Sequence, residues 1–154
     1  MFSPSICYYF PMIAKKHRKL SKTEKDAIEN ALKGLLAKHA EVIFAYVHGS
    51  FARGEDFSDI DIALYLGDVP ASPLEYELSL EGECREAVPR FPVEVKVLNA
   101  APLSFRYHVL KDGSLLIDRD GEKRAGFQEA TLADYFDFAP YRALYVKEIL
   151  GLGV

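Results

Sequence analysis

Apolar and polar positions alternate along the chain with two periods, and the change of period marks out helices and strands. Over residues 21–39, Ala27, Ile28, Ala31, Leu32, Leu35 and Leu36 fall on one helical face. Ser21 and Glu24 have the spacing of a capping box, in which each side chain satisfies a free backbone amide of the first turn. This predicts an amphipathic helix with one face in a core. Residues 42–47 form a β-branched and aromatic run, which predicts a buried strand.

After His48-Gly49-Ser50 a short polar piece leads to a second strand over residues 59–66. Ser72-Pro73 reads as an N-cap followed by proline at the first helical position, so a helix should run from there towards residue 88. Glu75, Glu77, Glu81, Glu83 and Glu86 read as its solvated face. Pro89 and Pro92 bracket a turn before a third strand over residues 93–98. Pro102 opens another helix, which Asp112-Gly113 closes, and residues 115–118 are a short extended piece. From about residue 121 the pattern is helical, with Pro140 breaking that helix or starting a second one. Helices alternating with strands give an α/β (α+β) class built on a small sheet. Residues 1–20 read as an N-terminal arm and residues 21–154 as a single domain with C-terminal helices.

Composition narrows the function classes. The chain has 154 residues, 49% of them apolar and 27% charged, which fits one soluble globular domain. A net charge of -4 gives no global reason to bind nucleic acid. No run is long and apolar enough to span a membrane, and the first residues lack a basic segment ahead of an apolar one, so they make a poor signal peptide. Cys7 and Cys84 stand in no metal-ligand spacing and read as reduced thiols. The expectation is a cytoplasmic protein without membrane contact or direct nucleic-acid binding.

The candidate chemistry lies in residues 48–66. Side chains alternate along a strand, so Asp59 and Asp61 point to one side with α-carbons about 6.6 Å apart. Ile60, Ile62 and Leu64 point the other way, into a core. Two carboxylates so close raise each other's pKa unless a cation lies between them. Asp is also a poor strand former. The pair therefore suggests a magnesium site, since magnesium takes hard oxygen ligands and shares them with substrate phosphates. Upstream, Gly49 permits a tight turn and close backbone approach. Ser50 reads as the cap of a short helix whose free amides suit phosphate, and Arg53 makes sense there if a polyphosphate neutralises it. In the third strand, Val93, Val95 and Val97 form a buried face, so Glu94 projects from the opposite one. If that strand neighbours the aspartate strand, Glu94 joins Asp59 and Asp61. Three carboxylates and two magnesium ions are the parts of two-metal phosphoryl transfer.

The pattern Gly-Ser-x-Ala-Arg-Gly followed by Ser-Asp-Ile-Asp resembles the DNA polymerase β-like nucleotidyltransferase superfamily, and within it the minimal nucleotidyltransferases, or MNT proteins. The likeness extends through Val-Glu-Val-Lys-Val-Leu-Asn to the Leu-Ala-Asp-Tyr-Phe-Asp-Phe end. It implies a small mixed sheet with helices mainly on one face. It implies that Gly49, Ser50 and Arg53 hold the triphosphate, that Asp59 and Asp61 bind both magnesium ions, and that Glu94 is the third, catalytic carboxylate. It further implies an antitoxin that moves AMP from ATP to a tyrosine hydroxyl of a cognate HEPN-domain RNase toxin. Two features depart from the pattern. The loop of eight residues between Ser50 and Asp59 is shorter than in many antitoxin members, and the third carboxylate is Glu where Asp is commoner. Two other functions fit the same motif: a degenerate member that neutralises its partner by binding alone, and a transferase with a small-molecule or RNA acceptor.

Overall fold

The computed structural model describes residues 19–151. The arm expected over residues 1–20 lies almost wholly outside them, as does Cys7. In chain order the described elements are α1 (Lys22–Leu36), β1 (Val42–His48), α2 (Gly49–Ala52), β2 (Ile60–Leu66), α3 (Pro73–Ala87), β3 (Val93–Val97), α4 (Leu103–Asp112), β4 (Ser114–Asp118) and α5 (Gly121–Ile149). The sheet runs β3-β2-β1-β4. β1 is antiparallel to both β2 and β4, whereas β2 and β3 are parallel and joined through α3. This is the α/β arrangement on a small sheet that the alternating pattern predicts, with the mixed strand directions that the resemblance implies.

Period-two alternation divides the residues of the sheet between two cores. On one face Ile60, Ile62, Leu64 and Leu66 of β2 join Val93, Val95 and Val97 of β3, under Leu32 and Leu36 of α1 and Leu80 and Cys84 of α3. On the other, Phe44, Tyr46 and Ala63 pack with Leu98 and Val109, flanked by Phe105 of α4 and Phe127 of α5. The second core is smaller and aromatic; Phe44 stacks on Tyr65 with ring centroids 4.8 Å apart.

The capping box at the start of α1 forms as read. The Ser21 hydroxyl accepts from the Glu24 amide at 3.2 Å, and the Glu24 carboxylate accepts from the Ser21 amide at 3.0 Å. α1 stops at Leu36, short of residue 39. The reason is His39, whose ring is held between the Glu41 and Glu83 carboxylates at 3.0 and 2.8 Å. That grip draws the chain out of the helix and into β1. Tyr76 adds to the same cluster by donating to Glu41 at 2.8 Å.

α3 departs from its sequence reading in one respect. Glu77 and Glu81 are not a solvated face: Glu77 is buried and Glu81 half-buried. The Val97 amide donates to Glu77 and the Val95 amide donates to Glu81, each at 2.9 Å. Glu77 is only 9% exposed and also accepts from Lys96 at 3.3 Å. A buried carboxylate is tolerable when amides and an ammonium saturate it in this way. At the other end of the chain, α5 continues unbroken through Pro140. The proline has no amide to donate, so the carbonyl four residues earlier, on Phe136, loses its helical partner. Beyond that point residues 140–150 are exposed throughout.

Candidate active site

Gly49 begins the site. It follows β1 directly and has φ +74°, a left-handed conformation that glycine adopts without strain. A Cβ at this position would collide with the Asp61 carboxylate. The glycine therefore lets the turn lie directly against an acid. α2 starts at Gly49 with His48 as its N-cap, so Ser50 is the second residue of the helix and not the cap expected from the sequence. Its hydroxyl is not committed to closing the helix.

β2 begins at Ile60, so Asp59 occupies the bend just before the strand and not its first position. The outcome for the carboxylates is nevertheless the convergence that the alternation predicts. Asp61 stands in register with His48 on β1 and with Glu94 on β3. Ligand oxygens of Asp59, Asp61 and Glu94 all lie within 4.8 Å of one another. The parallel pairing of β2 with β3, which sequence alone leaves open, is what delivers Glu94.

Like charges at this separation leave a mark on the acids. Burial, then the neighbouring charges of Asp59 and Glu94, push the Asp61 carboxyl up to about 6. Glu94 is also raised, by burial first and then by Asp59. Arg53 and Lys96 offset only part of this, and each has its own acidic partner. Arg53 pairs with Glu55 at 3.1 and 3.3 Å, and Lys96 with Glu77. The cluster is thus rich in hard oxygen donors and short of positive charge, which fits a divalent cation such as magnesium. In this arrangement Arg53 is turned to Glu55, with its side chain 41% exposed and within reach of the turn.

His48 differs from the satisfied strand-end histidine that its position suggests. Its Nε2 is buried without a hydrogen-bond partner among the described residues. Its ring meets Phe105 edge-on at 5.4 Å. Burial, aided by the nearby Arg53, lowers its pKa and keeps the ring neutral. Sequence gives no sign of this, because Phe105 is more than fifty residues away in the chain. Arg106 and His108 lie on α4, where the Arg106 Nε is likewise buried and unpaired among the described residues.

A glycine turn beside converging carboxylates agrees with the comparison to known families. The model of the family described as polymerase beta, nucleotidyltransferase, matches residues 30–122. The chain belongs to this nucleotidyltransferase family. The matched stretch contains the Gly49 turn, the two aspartates and Glu94. No curated protein matches the sequence closely. Solved structures do. One is a tri-AMPylated HEPN toxin of Shewanella oneidensis in complex with an MNT antitoxin; the match has 20% identity and a TM-score of 0.67, and covers 82% of this chain and 98% of that one. A toxin-antitoxin with AMP-PNP matches at 22% identity and a TM-score of 0.69, over 79% of this chain and 98% of that one. The MntA-HepT toxin-antitoxin matches at 20% identity and a TM-score of 0.66, over 81% and 98%. At these identities the likeness shows a shared fold, and this nucleotidyltransferase-family chain has it over nearly the whole length of the matched proteins. Among the described residues, no helix is long and apolar enough to cross a membrane.

Proposed function

We propose that this protein is an antitoxin that transfers AMP from ATP to a tyrosine hydroxyl of a cognate HEPN-domain RNase toxin, using two magnesium ions at Asp59, Asp61 and Glu94. The observation that carries the reading is the approach of those three carboxylates to within 4.8 Å, with Gly49 lying against Asp61. The AMP-bearing toxin in one matched structure and the AMP-PNP in another support the choice of nucleotide and acceptor. ATP and an RNase toxin meet in the cytoplasm, so the reaction belongs there.

Magnesium bound at the three acids supplies charge neutralisation and orientation for the triphosphate. The remaining roles fall to the chain itself. Gly49 lets the backbone approach the triphosphate, and the uncommitted Ser50 hydroxyl donates to it. Arg53 exchanges Glu55 for the phosphates, which accept its planar donors more strongly. Glu94 takes the proton of the acceptor hydroxyl. The acceptor oxygen then bonds to the α-phosphorus as the bond to the β-phosphate breaks, and pyrophosphate leaves along the Gly49-Ser50 turn.

The test is to incubate the protein with magnesium, ATP labelled at the α-phosphate, and its cognate HEPN protein. Label should appear on a tyrosine of the partner, with release of pyrophosphate. An intact complex that never acquires label would overturn the reading and leave neutralisation by binding alone; in that case Asp59→Ala with Asp61→Ala would still neutralise the toxin.

A further inference from the structure

The sequence ahead of α1 carries a basic run that the roles assigned above do not use. Lys15, Lys16, Arg18 and Lys19 put four cations into five residues, and no acid occurs before Glu24. The run lies ahead of residues 30–122, the stretch that the family model matches. Lys19 is the first described residue; Lys15, Lys16 and Arg18 precede it in sequence and lie outside the described ones.

Lys19 enters the fold beside the candidate site. Its backbone amide donates to the Asp56 carboxylate at 3.2 Å. Asp56 adjoins Glu55, whose amide donates to the Ser50 carbonyl at 3.0 Å. Two hydrogen bonds and one peptide link thus separate Lys19 from the Gly49-Ser50 turn. The exposed Lys19 side chain runs past Gly54, where a Cβ would stand 4.0 Å from its Cε. Two turns further on, Lys25 donates to the Ala52 carbonyl at 2.8 Å and lies over the Phe51 ring, 5.6 Å from its centroid. The start of α1 is therefore fixed against the segment that follows the turn, and the basic run joins the fold there.

That position matters because of charge. Three carboxylates and an ionised triphosphate carry more negative charge than two magnesium ions and Arg53 neutralise. Lys96 does not make up the difference, since Glu77 holds it at 3.3 Å. The basic run does. An extended chain adds at most about 3.5 Å per residue, so covalent geometry keeps Lys15 within about 14 Å of Lys19. We propose that Lys15, Lys16, Arg18 and Lys19 bind the β- and γ-phosphates of the nucleoside triphosphate seated on the Gly49-Ser50 turn. This rests on the nucleotide reading of the site given above and adds to it a set of phosphate ligands ahead of α1. Asp56 is the pin that holds the run at the turn. The phosphates so neutralised are those that depart as pyrophosphate, so the run also stabilises the leaving group. Its charges face water, and added salt screens their contribution.

The test is calorimetric titration of the full chain with AMP-PNP and magnesium. With Lys15→Gln, Lys16→Gln, Arg18→Gln and Lys19→Gln combined, the Kd for AMP-PNP should rise at least about tenfold at low salt, and the difference should shrink as salt is added. The Kd for AMP, which lacks the β- and γ-phosphates, should stay within about twofold of the native value. Lys15→Arg, Lys16→Arg and Lys19→Arg together keep the charge and should keep native affinity for AMP-PNP. Exposed Asp56 gives a second, independent variant. Removing its charge would by itself tighten phosphate binding, but loss of the pin should make Asp56→Ala weaken AMP-PNP binding severalfold, and that loss should vanish in the Gln background. The proposal is overturned if the Gln variant binds AMP-PNP as the native chain does, if AMP loses as much affinity as AMP-PNP, or if Asp56→Ala acts equally in both backgrounds. A native chain that fails to bind AMP-PNP overturns it as well. Native binding of AMP-PNP without transfer of AMP to the cognate HEPN protein would count against the antitoxin reading alone, and the titrations would still decide the role of the run.

Discussion

Gly49 and Asp61 touch: the glycine's missing side chain is the space that the aspartate carboxylate occupies. The two residues come from adjacent antiparallel strand ends, so the glycine turn and the acid are set against each other by the sheet itself. Gly49→Ala should damage both. It forces a methyl group into the carboxylate and places an L-residue at φ +74°, which costs about 1–2 kcal/mol for the backbone alone. The expected outcome is a lowered Tm together with magnesium affinity reduced at least tenfold, as read by calorimetric titration. A variant that kept native magnesium affinity would show that the contact does not govern the site.

Asp61 links the site to stability. Its folded-state carboxyl is raised from 3.8 to about 6, so between those values the folded protein binds more protons than the unfolded chain. Stability therefore falls as pH rises through that window, and the deficit persists above it. Asp61→Asn should raise the Tm of the metal-free protein at pH 8, by an amount equivalent to about 1 kcal/mol after allowance for solvent screening. Magnesium should raise the Tm of the native protein at that pH and leave the variant unmoved. Equal Tm values for the two metal-free proteins would contradict stored repulsion.

Glu94 should separate proton transfer from nucleotide binding. Glu94→Gln keeps the size of the side chain and removes its basicity, so AMP transfer should slow by about 10²-fold or more while ATP binding changes little. Glu94→Asp, one methylene shorter, should recover part of the rate. Single-turnover labelling beside an ATP binding assay makes the distinction, and a Gln variant with native turnover would remove Glu94 from the proton path.

His39 predicts a pH effect far from the site. Burial by itself lowers the pKa of its ring, but hydrogen bonds to Glu83 and Glu41 outweigh burial and leave the net value above the ordinary 6.5. A raised folded value means that the contribution is complete below the unfolded pKa and is lost as pH rises through the folded one. Native stability should fall by about 1 kcal/mol from pH 6 to pH 8, and His39→Gln should flatten that part of the curve. Chemical denaturation at the two pH values measures the difference.

The carboxylate site was legible where its signal is local. The alternation of Ile60, Asp61 and Ile62 fixes which side of β2 faces the core, whatever the topology, and Gly49-Ser50 announces a turn by residue type alone. Glu94 was half legible: its face follows from the flanking valines, but its approach to Asp61 needs the parallel pairing that α3 creates. Glu77 and Glu81 were misread because an acid that accepts strand amides has the same spacing as one in water. Nothing near His39 in the sequence points to Glu83, 44 residues away, so the end of α1 came out too long.

The carboxylates of Glu77 and Glu81 also decide how another protein can approach. β3 is the outermost strand beside the carboxylate trio, and a border strand normally invites a foreign strand to zip alongside it. Here the outward amides of Val95 and Val97 already belong to the chain's own acids. A visiting strand would find those donors taken and negative charge in their place. A protein that carries a hydroxyl to Glu94 must therefore present it from a loop or a helix, and the sheet stays four strands wide on its catalytic side.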